Sequence, residues 1–142
     1  MTKICIYGAG AIGGIAGALL AKKGEADVSL IARGPHLAAI REKGLRIEGV
    51  AGNFTIKDIR ATDNPADLGP QDYVIIALKT YSVAPILDQL QHLLHSETVV
   101  VTAQNGIPWW YCFGLEGALS NRRIPATDPG DLLWQGIGPE RV

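Results

Sequence analysis

The 142-residue sequence has no long hydrophobic run and no marked excess of charge of either sign. No stretch approaches the roughly 18 consecutive apolar residues of a membrane span, and the first residues lack the basic flank and apolar stretch of a secretory signal. The formal net charge of −1 removes any global electrostatic attraction to nucleic acid or to an anionic membrane. These absences predict a cytoplasmic protein with no nucleic-acid or membrane partner, in which any anion-binding site is local.

Cysteine is also scarce. The spacing of Cys5 and Cys112 fits neither a metal site nor a disulfide framework, so we expect reduced and packed thiols. The three histidines, His36, His92 and His95, lie in polar, helix-like stretches without a cysteine or an acidic cluster nearby. The sequence therefore predicts no metal site.

Glycine, by contrast, is abundant, and it is concentrated in the stretch "GAGAIGG" that follows an apolar strand over residues 3–7. Each glycine inside a regular element costs roughly 0.5–1 kcal/mol relative to alanine, so the cluster indicates a close approach to the backbone. Gly8, Ala9, Gly10, Ala11, Ile12 and Gly13 form the pattern G-x-G-x-x-G. In this pattern Gly8 allows the tight turn, Gly10 admits a diphosphate, and Gly13 lets the following helix approach the strand. The alternative is a turn that serves helix packing alone.

Strand-like and helix-like stretches alternate along most of the chain. We predict strands over residues 3–7, 27–32, 72–78 and 98–103, helices over 11–23, 35–43, 81–94 and 107–119, and a hairpin or extended ribbon from 45–50 and 53–59. The predicted central strands are apolar on both faces, as in a parallel sheet. The alternation predicts an α/β fold of the Rossmann-like, doubly wound type, with a mostly parallel sheet and helices on both faces. We expect residues 1–142 to be one dinucleotide-binding domain.

The second predicted strand indicates which dinucleotide is bound. NAD binders carry an acidic residue about 20 residues beyond the glycines, where it binds the ribose hydroxyls. This sequence has Arg33 at that distance from Gly13. A guanidinium is a bidentate partner for a 2′-phosphate, which a carboxylate would repel, so the cofactor is predicted to be NADP(H). The alternative is that Arg33 is a solvated loop cation.

Two polar residues follow other predicted strands. Lys79 comes after "VIIAL", and Asn105 follows "VVVTAQ" within a Gln-Asn-Gly sequence. Open α/β sheets bind ligands at the carboxyl ends of their strands, so both residues are candidate ligand contacts. Asn-Gly is also a common turn pair and lysine often ends a strand into solvent, so spacing alone leaves both interpretations open.

Together these segments resemble the N-terminal domain of the ketopantoate reductase family, the NADPH-dependent 2-dehydropantoate 2-reductases. The resemblance is carried by "KICIYGAGAIGG", "LIARG", "DYVIIALKTYS" and "VVVTAQNGI", in that order, and extends over residues 1 to about 125. It implies that residues 8–13 bind the diphosphate and that Arg33 binds the 2′-phosphate. It also implies that Lys79 and Asn105 line the nicotinamide side of the cleft, with Asn105 near a 2-oxo acid substrate.

The resemblance further implies reduction of the 2-keto group of 2-dehydropantoate to pantoate, a step of pantothenate biosynthesis. Family members carry a second, helical domain with the general-acid lysine, which is expected beyond Val142. We therefore expect no catalytic residue in this chain, a truncated and inactive enzyme, and association of copies through the uncovered surface. The tail from Asn121 onward fits the family pattern least well. The alternatives are a reductase of another 2-oxo acid and a non-catalytic nicotinamide-nucleotide sensor.

Overall fold

A computed structural model describes residues 1–49 and 52–142 of the chain. The strands and helices of this part, in chain order, are β1 (Thr2–Tyr7), α1 (Ala11–Lys23), β2 (Ala26–Ile31), α2 (Gly34–Lys43), β3 (Leu45–Ile47), β4 (Phe54–Ile56), β5 (Arg60–Thr62), β6 (Tyr73–Ile76), α3 (Leu87–Leu90), β7 (Val99–Thr102) and α4 (Leu132–Gly136). The remaining regular segments are single turns of 3₁₀-helix.

The main sheet has the strand order β5-β2-β1-β6-β7 among the described residues, and every pairing in it is parallel. The chain runs outward from β1 through β2 to β5 and then returns to the other side of β1 for β6 and β7. This reversal beside β1 creates a crevice at the carboxyl ends of the strands, which is where doubly wound sheets bind their ligands. The predicted Rossmann-like fold class is confirmed.

Helix α1 packs closely against the sheet because its buried face consists of small residues. A Cβ atom added at Gly17 would lie 2.7 Å from Cδ2 of Leu30 and 3.2 Å from Cγ1 of Ile6. The helix ends at Lys23, and Gly24 caps it in the left-handed conformation with φ of 73°. The bounds predicted from the sequence for this helix are confirmed.

The sheet separates two hydrophobic clusters. Cys5, Tyr7 and Val74 point to one face and pack with the segment that follows β6, whereas Ile6 and Leu30 point to the other face. This division follows from the alternation of side chains along a strand. On the second face α1 and α2 cover the sheet, with buried Ala18, Leu37 and Ile40 among the packed residues. Helical segments therefore lie on both faces of the sheet.

Two predicted helices are wrong. In place of a continuous helix over residues 81–94, the chain forms short 3₁₀ turns around α3. Pro85 explains the break, since it has no backbone N–H and its ring clashes with the carbonyl group four residues earlier. Residues 107–119 form turns, with a 3₁₀ turn only at Gly117–Leu119, because Gly114 and Gly117 take positive φ values of 70° and 74°.

Two short elements were not predicted. Strand β5 pairs with β2 through three residues, too few to show a periodic pattern. Helix α4 is held by the buried carboxylate of Asp128, which accepts hydrogen bonds from the backbone N–H groups of Leu133 and Trp134, both at 2.9 Å. The predicted hairpin is confirmed as the antiparallel pair of β3 and β4. Val50 and Ala51, within that prediction, lie outside the described residues.

Candidate functional site

The carboxyl ends of β1, β2, β5 and β6 open into one cleft of about 640 Å³. The turns and helix starts that follow these strands form its walls. The lining residues are Tyr7, Gly8, Ala9, Gly10, Ile31, Ala32, Arg33, His36, Asp63, Leu78, Tyr81, Ser82, Pro85, Ile86 and Gln89. The cleft is therefore located at the reversal of the strand order.

Gly8 and Gly13 are glycines for reasons of packing within the protein. Gly8 has φ of 105°, and a Cβ atom there would lie 2.6 Å from Cδ2 of Leu78. A Cβ atom at Gly13 would collide with the carbonyl oxygen of Gly8. The backbone N–H groups of Gly8 and Ala9 both donate to the carbonyl oxygen of Ile31, at 3.1 Å each. These contacts hold the turn tightly against the end of β2.

Gly10 differs from both of these glycines. Its φ of −70° and ψ of −163° are open to any residue, and apart from Gly10 and its two chain neighbours, no heavy atom of the described residues lies within 4 Å of a Cβ atom added there. The first intrahelical bond of α1 joins the N–H of Gly14 to the carbonyl oxygen of Gly10 at 2.6 Å. The N–H groups of Ala11, Ile12 and Gly13 precede that bond, so helix geometry leaves them without an intrahelical acceptor. The open space at Gly10 thus adjoins backbone donors.

Arg33 is the residue before α2 and is exposed where it lines the cleft. Within the described part of the chain its guanidinium takes part in no salt bridge. Burial and the neighbouring Cys5 raise the pKa of Tyr7, whereas the positive charge of Arg33 lowers it. The Tyr7 hydroxyl donates to Oε1 of Gln89 at 3.1 Å. Asp63 adds a carboxylate to the same cleft, so the cleft carries charges of both signs.

His36 is a cleft residue that the sequence analysis missed. Its Nε2 lies 2.7 Å from the carbonyl oxygen of Ala9, to which it donates a hydrogen bond. It is the third residue of α2, which begins at the carboxyl end of β2. That placement is the signal that could have identified it, because residues in the first turn of such a helix lie at the ligand-binding edge of the sheet.

Lys79 and Asn105 lie at the same edge but do not line the cleft. Ile76 of β6 is paired with Thr102 of β7, and each of the two residues lies three positions beyond its strand partner. Both are exposed. Nε2 of Gln104 donates to the carbonyl oxygen of Leu78 at 3.0 Å, which joins the two turns. The structure therefore brings Lys79 and Asn105 to neighbouring turns, on the β7 side of the glycine turn.

No helix of residues 1–49 and 52–142 is long and apolar enough to cross a membrane. Across the same residues, no three histidine, cysteine, aspartate or glutamate side chains are grouped so that they could hold a metal ion.

A parallel sheet that reverses its strand order beside a G-x-G-x-x-G turn is typical of doubly wound, Rossmann-like α/β domains. Residues 4–109 match the family model described as ketopantoate reductase PanE/ApbA. The chain belongs to this family.

Individual relatives agree with the family match. The chain is 52% identical to the 2-dehydropantoate 2-reductase of Mesorhizobium japonicum over 99% of its own length. A crystal structure of a protein assigned as a ketopantoate reductase from Ralstonia solanacearum has a TM-score of 0.89 at 40% identity, covering 100% of this chain and 43% of that one. A ternary structure of D-mandelate dehydrogenase with NADH and anilino(oxo)acetate has a TM-score of 0.66 at 27% identity, covering 75% of this chain and 34% of that one.

The coverage of these relatives concerns the length of the chain and its tail. The chain spans 43% of the length of the Mesorhizobium japonicum relative. Both that match and the Ralstonia solanacearum structure extend through the tail from Asn121 onward, which lies outside the family match. The expectation that this tail fits the family pattern least well stays a prediction.

Proposed function

We propose that residues 1–142 are the dinucleotide-binding domain of an NADPH-dependent reductase that converts 2-dehydropantoate to pantoate. Membership of the family and the names of its relatives support the reaction. The observation that carries the proposal is the open space at Gly10, since neither conformation nor packing within the described residues requires glycine there. A ligand that touches this backbone explains it.

The glycine turn fits a diphosphate. Within residues 8–13, the N–H groups of Ala11, Ile12 and Gly13 lie at the positive end of α1, and together they bind an anion without a basic side chain. A side chain at Gly10 would occupy the space in front of those donors. The cofactor, when bound, supplies the hydride for the reduction. This chain binds and orients it.

Arg33 supports NADPH over NADH. Its exposed guanidinium stands at the end of β2, where NAD binders place a carboxylate for the ribose hydroxyls. A 2′-phosphate there receives charge-assisted hydrogen bonds from the guanidinium. D-mandelate dehydrogenase, which is structurally similar, is described with NADH. The fold alone therefore does not decide between the two cofactors, and Arg33 is the residue that favours NADPH.

Lys79 and Asn105 are proposed to contact the nicotinamide half of the cofactor, and Asn105 to contact the 2-oxo acid as well. Their turns lie next to the glycine turn on the side opposite to Arg33, so an extended dinucleotide would cross from one side to the other. An amide side chain both donates and accepts hydrogen bonds, which suits a substrate with a ketone and a carboxylate. We assign no general acid within the 142 residues.

A second candidate is the reduction of a different 2-oxo acid. The anilino(oxo)acetate in the D-mandelate dehydrogenase structure is itself a 2-oxo compound, bound by a protein with a similar fold. In this chain we propose a substrate contact for Asn105 alone. A single contact does not favour another 2-oxo acid over 2-dehydropantoate.

The cofactor assignment is tested by titrating the chain with NADPH and NADH while nicotinamide fluorescence is monitored. We expect NADPH to bind more tightly, and Arg33→Gln to weaken NADPH binding about 10- to 100-fold by removing hydrogen bonds to a charged group. NADH binding should be unchanged. Arg122→Gln is the matched control, because Arg122 is exposed and does not line the cleft. Tighter binding of NADH by the unsubstituted chain would contradict the assignment.

A further inference from the structure

His36 connects the two turns that the proposed function assigns to different phosphate groups. It belongs to the first turn of α2, next to Arg33, and it donates to the carbonyl oxygen of Ala9 in the glycine turn. The two residues are 27 positions apart in the chain. His36 also lines both the main cleft and a second cleft of about 420 Å³ on the other side of the glycine turn. Its side chain is thus placed between these two spaces.

The hydrogen bond fixes a peptide group, and not only an oxygen atom. The peptide between Ala9 and Gly10 is planar and trans, so holding the carbonyl oxygen of Ala9 also sets the direction of the N–H of Gly10. On the preceding side, the N–H of Ala9 donates to the carbonyl oxygen of Ile31 at 3.1 Å. Both polar backbone groups of Ala9 therefore have partners, and the orientation of the turn at Gly10 is determined before any ligand arrives.

This orientation matters for an anion. A peptide that rotated would bring the partial negative charge of a carbonyl oxygen toward the space in which a phosphate is proposed to bind. The imidazole N–H prevents this by keeping the oxygen engaged with α2. A turn that is already ordered loses less conformational freedom on binding, which raises affinity without any new contact to the ligand.

We propose that His36 is a positioning residue for nicotinamide dinucleotides, acting through the carbonyl group of Ala9 on the diphosphate-binding turn. This inference rests on the proposed function. Because the diphosphate is common to NADH and NADPH, the contribution of His36 is the same for both cofactors. Arg33, in contrast, contributes to NADPH alone.

Two substitutions separate the hydrogen bond from the bulk of the ring. His36→Phe keeps a planar ring and removes the N–H donor, whereas His36→Gln supplies an amide N–H near the position of Nε2. We expect His36→Phe to weaken the binding of NADPH and of NADH by the same factor, about fivefold, because one hydrogen bond is lost. We expect His36→Gln to retain the affinity of the unsubstituted chain for both cofactors. Both variants should have the same thermal unfolding temperature as the unsubstituted chain, since His36 is exposed.

Fluorescence titration of the unsubstituted chain and the two variants with each cofactor tests the proposal. Unchanged affinity in His36→Phe would overturn it. Weakening of NADPH alone would also overturn it, by indicating a direct contact with the extra phosphate. An equal loss of cofactor affinity in both variants, together with a lower unfolding temperature, would overturn the proposal by showing that the imidazole serves packing only. Failure of the unsubstituted chain to bind either cofactor would instead overturn the proposed function, and the inference with it.

Discussion

Gly10 and Gly13 lie three residues apart in one turn, and each lacks a side chain for a different reason. At Gly13 the protein itself occupies the space, because a Cβ atom would collide with the carbonyl oxygen of Gly8. At Gly10 the described part of the protein leaves the space open. One glycine is therefore required by folding, and the other is expected to be required by binding.

Alanine substitution at each glycine distinguishes these two requirements. We expect Gly10→Ala to change the free energy of unfolding by less than about 1 kcal/mol, because a weaker helix cap and a stiffer unfolded chain offset each other. The same variant should lose at least about tenfold in NADPH affinity, as a methyl group stands where the diphosphate approaches. Gly13→Ala should lower the free energy of unfolding by about 1–3 kcal/mol through overpacking.

Urea denaturation and NADPH titration of both variants measure the two effects. The Gly13→Ala variant is the control for folding, and Gly10→Ala is the variant that tests binding. A Gly10→Ala protein that folds normally and binds NADPH as well as the unsubstituted chain would show that the open space at Gly10 has no ligand-binding role.

At the scale of the element, β1 places a thiol at the centre of the sheet. Cys5 is completely buried, and this burial raises the pKa of its thiol from the usual 9.0 to about 12, although a hydrogen bond with Ser29 lowers it in part. The folded state therefore favours the neutral thiol more strongly than the unfolded state does. The resulting stabilisation is fully present below pH 9 and is lost as the pH rises from about 9 to about 12.

Substitution of Cys5 by alanine should reduce this pH dependence. We expect the free energy of unfolding of the unsubstituted chain to fall between pH 9 and pH 11, and that of Cys5→Ala to fall less steeply over the same interval. Denaturant unfolding at a series of pH values measures both slopes. Substitution of Cys5 also removes its effect on the pKa of Tyr7, which Cys5 raises, and this loss reduces the slope in the same direction. Parallel slopes would contradict the assigned pKa shift of Cys5.

Elements with a strong repeating pattern could be predicted from the sequence, and elements fixed by distant contacts could not. The bounds of α1 follow from its glycine start, its periodic apolar residues and the cap at Gly24. Strand β5 has three residues and exists because β2 offers a free edge. Helix α4 depends on Asp128, a carboxylate whose burial only the folded chain determines. Pro85 divides the segment over residues 81–94, although its apolar residues recur at helical spacing.

The candidate site shows the same division. Gly8, Gly10 and Arg33 occupy fixed positions after two consecutive strands, and the structure places all three in the lining of one cleft. Their ligand-binding roles stay predictions. The place of His36 in the first turn of α2 could have marked it as a residue of this edge, but its hydrogen bond could not be predicted, because the acceptor is a backbone oxygen 27 residues away. The ligand-binding roles of Lys79 and Asn105 stay predictions, since both lie at the correct edge but outside the cleft.

At the scale of the whole molecule, the parallel sheet explains why weak sequence signals converge on one place. All five strands of the main sheet described here point their carboxyl ends to the same edge, so the turns after them meet there. The net charge of −1 is irrelevant to this local site. Elsewhere Tyr73, Val99 and Val101 are exposed on one face of the sheet, and the predicted association of copies through such surface stays a prediction.

The most direct test of the account is an amide NMR titration of the ¹⁵N-labelled chain with NADPH. Binding at the glycine turn predicts that the resonances of residues 8–13 and of Arg33 shift most. The resonances of Thr2, Asp72 and Glu97, which line a separate pocket away from that turn, should stay in place. Shifts confined to those three residues, or a spectrum that NADPH leaves unchanged at the glycine turn, would contradict the assignment of this chain as a dinucleotide-binding domain.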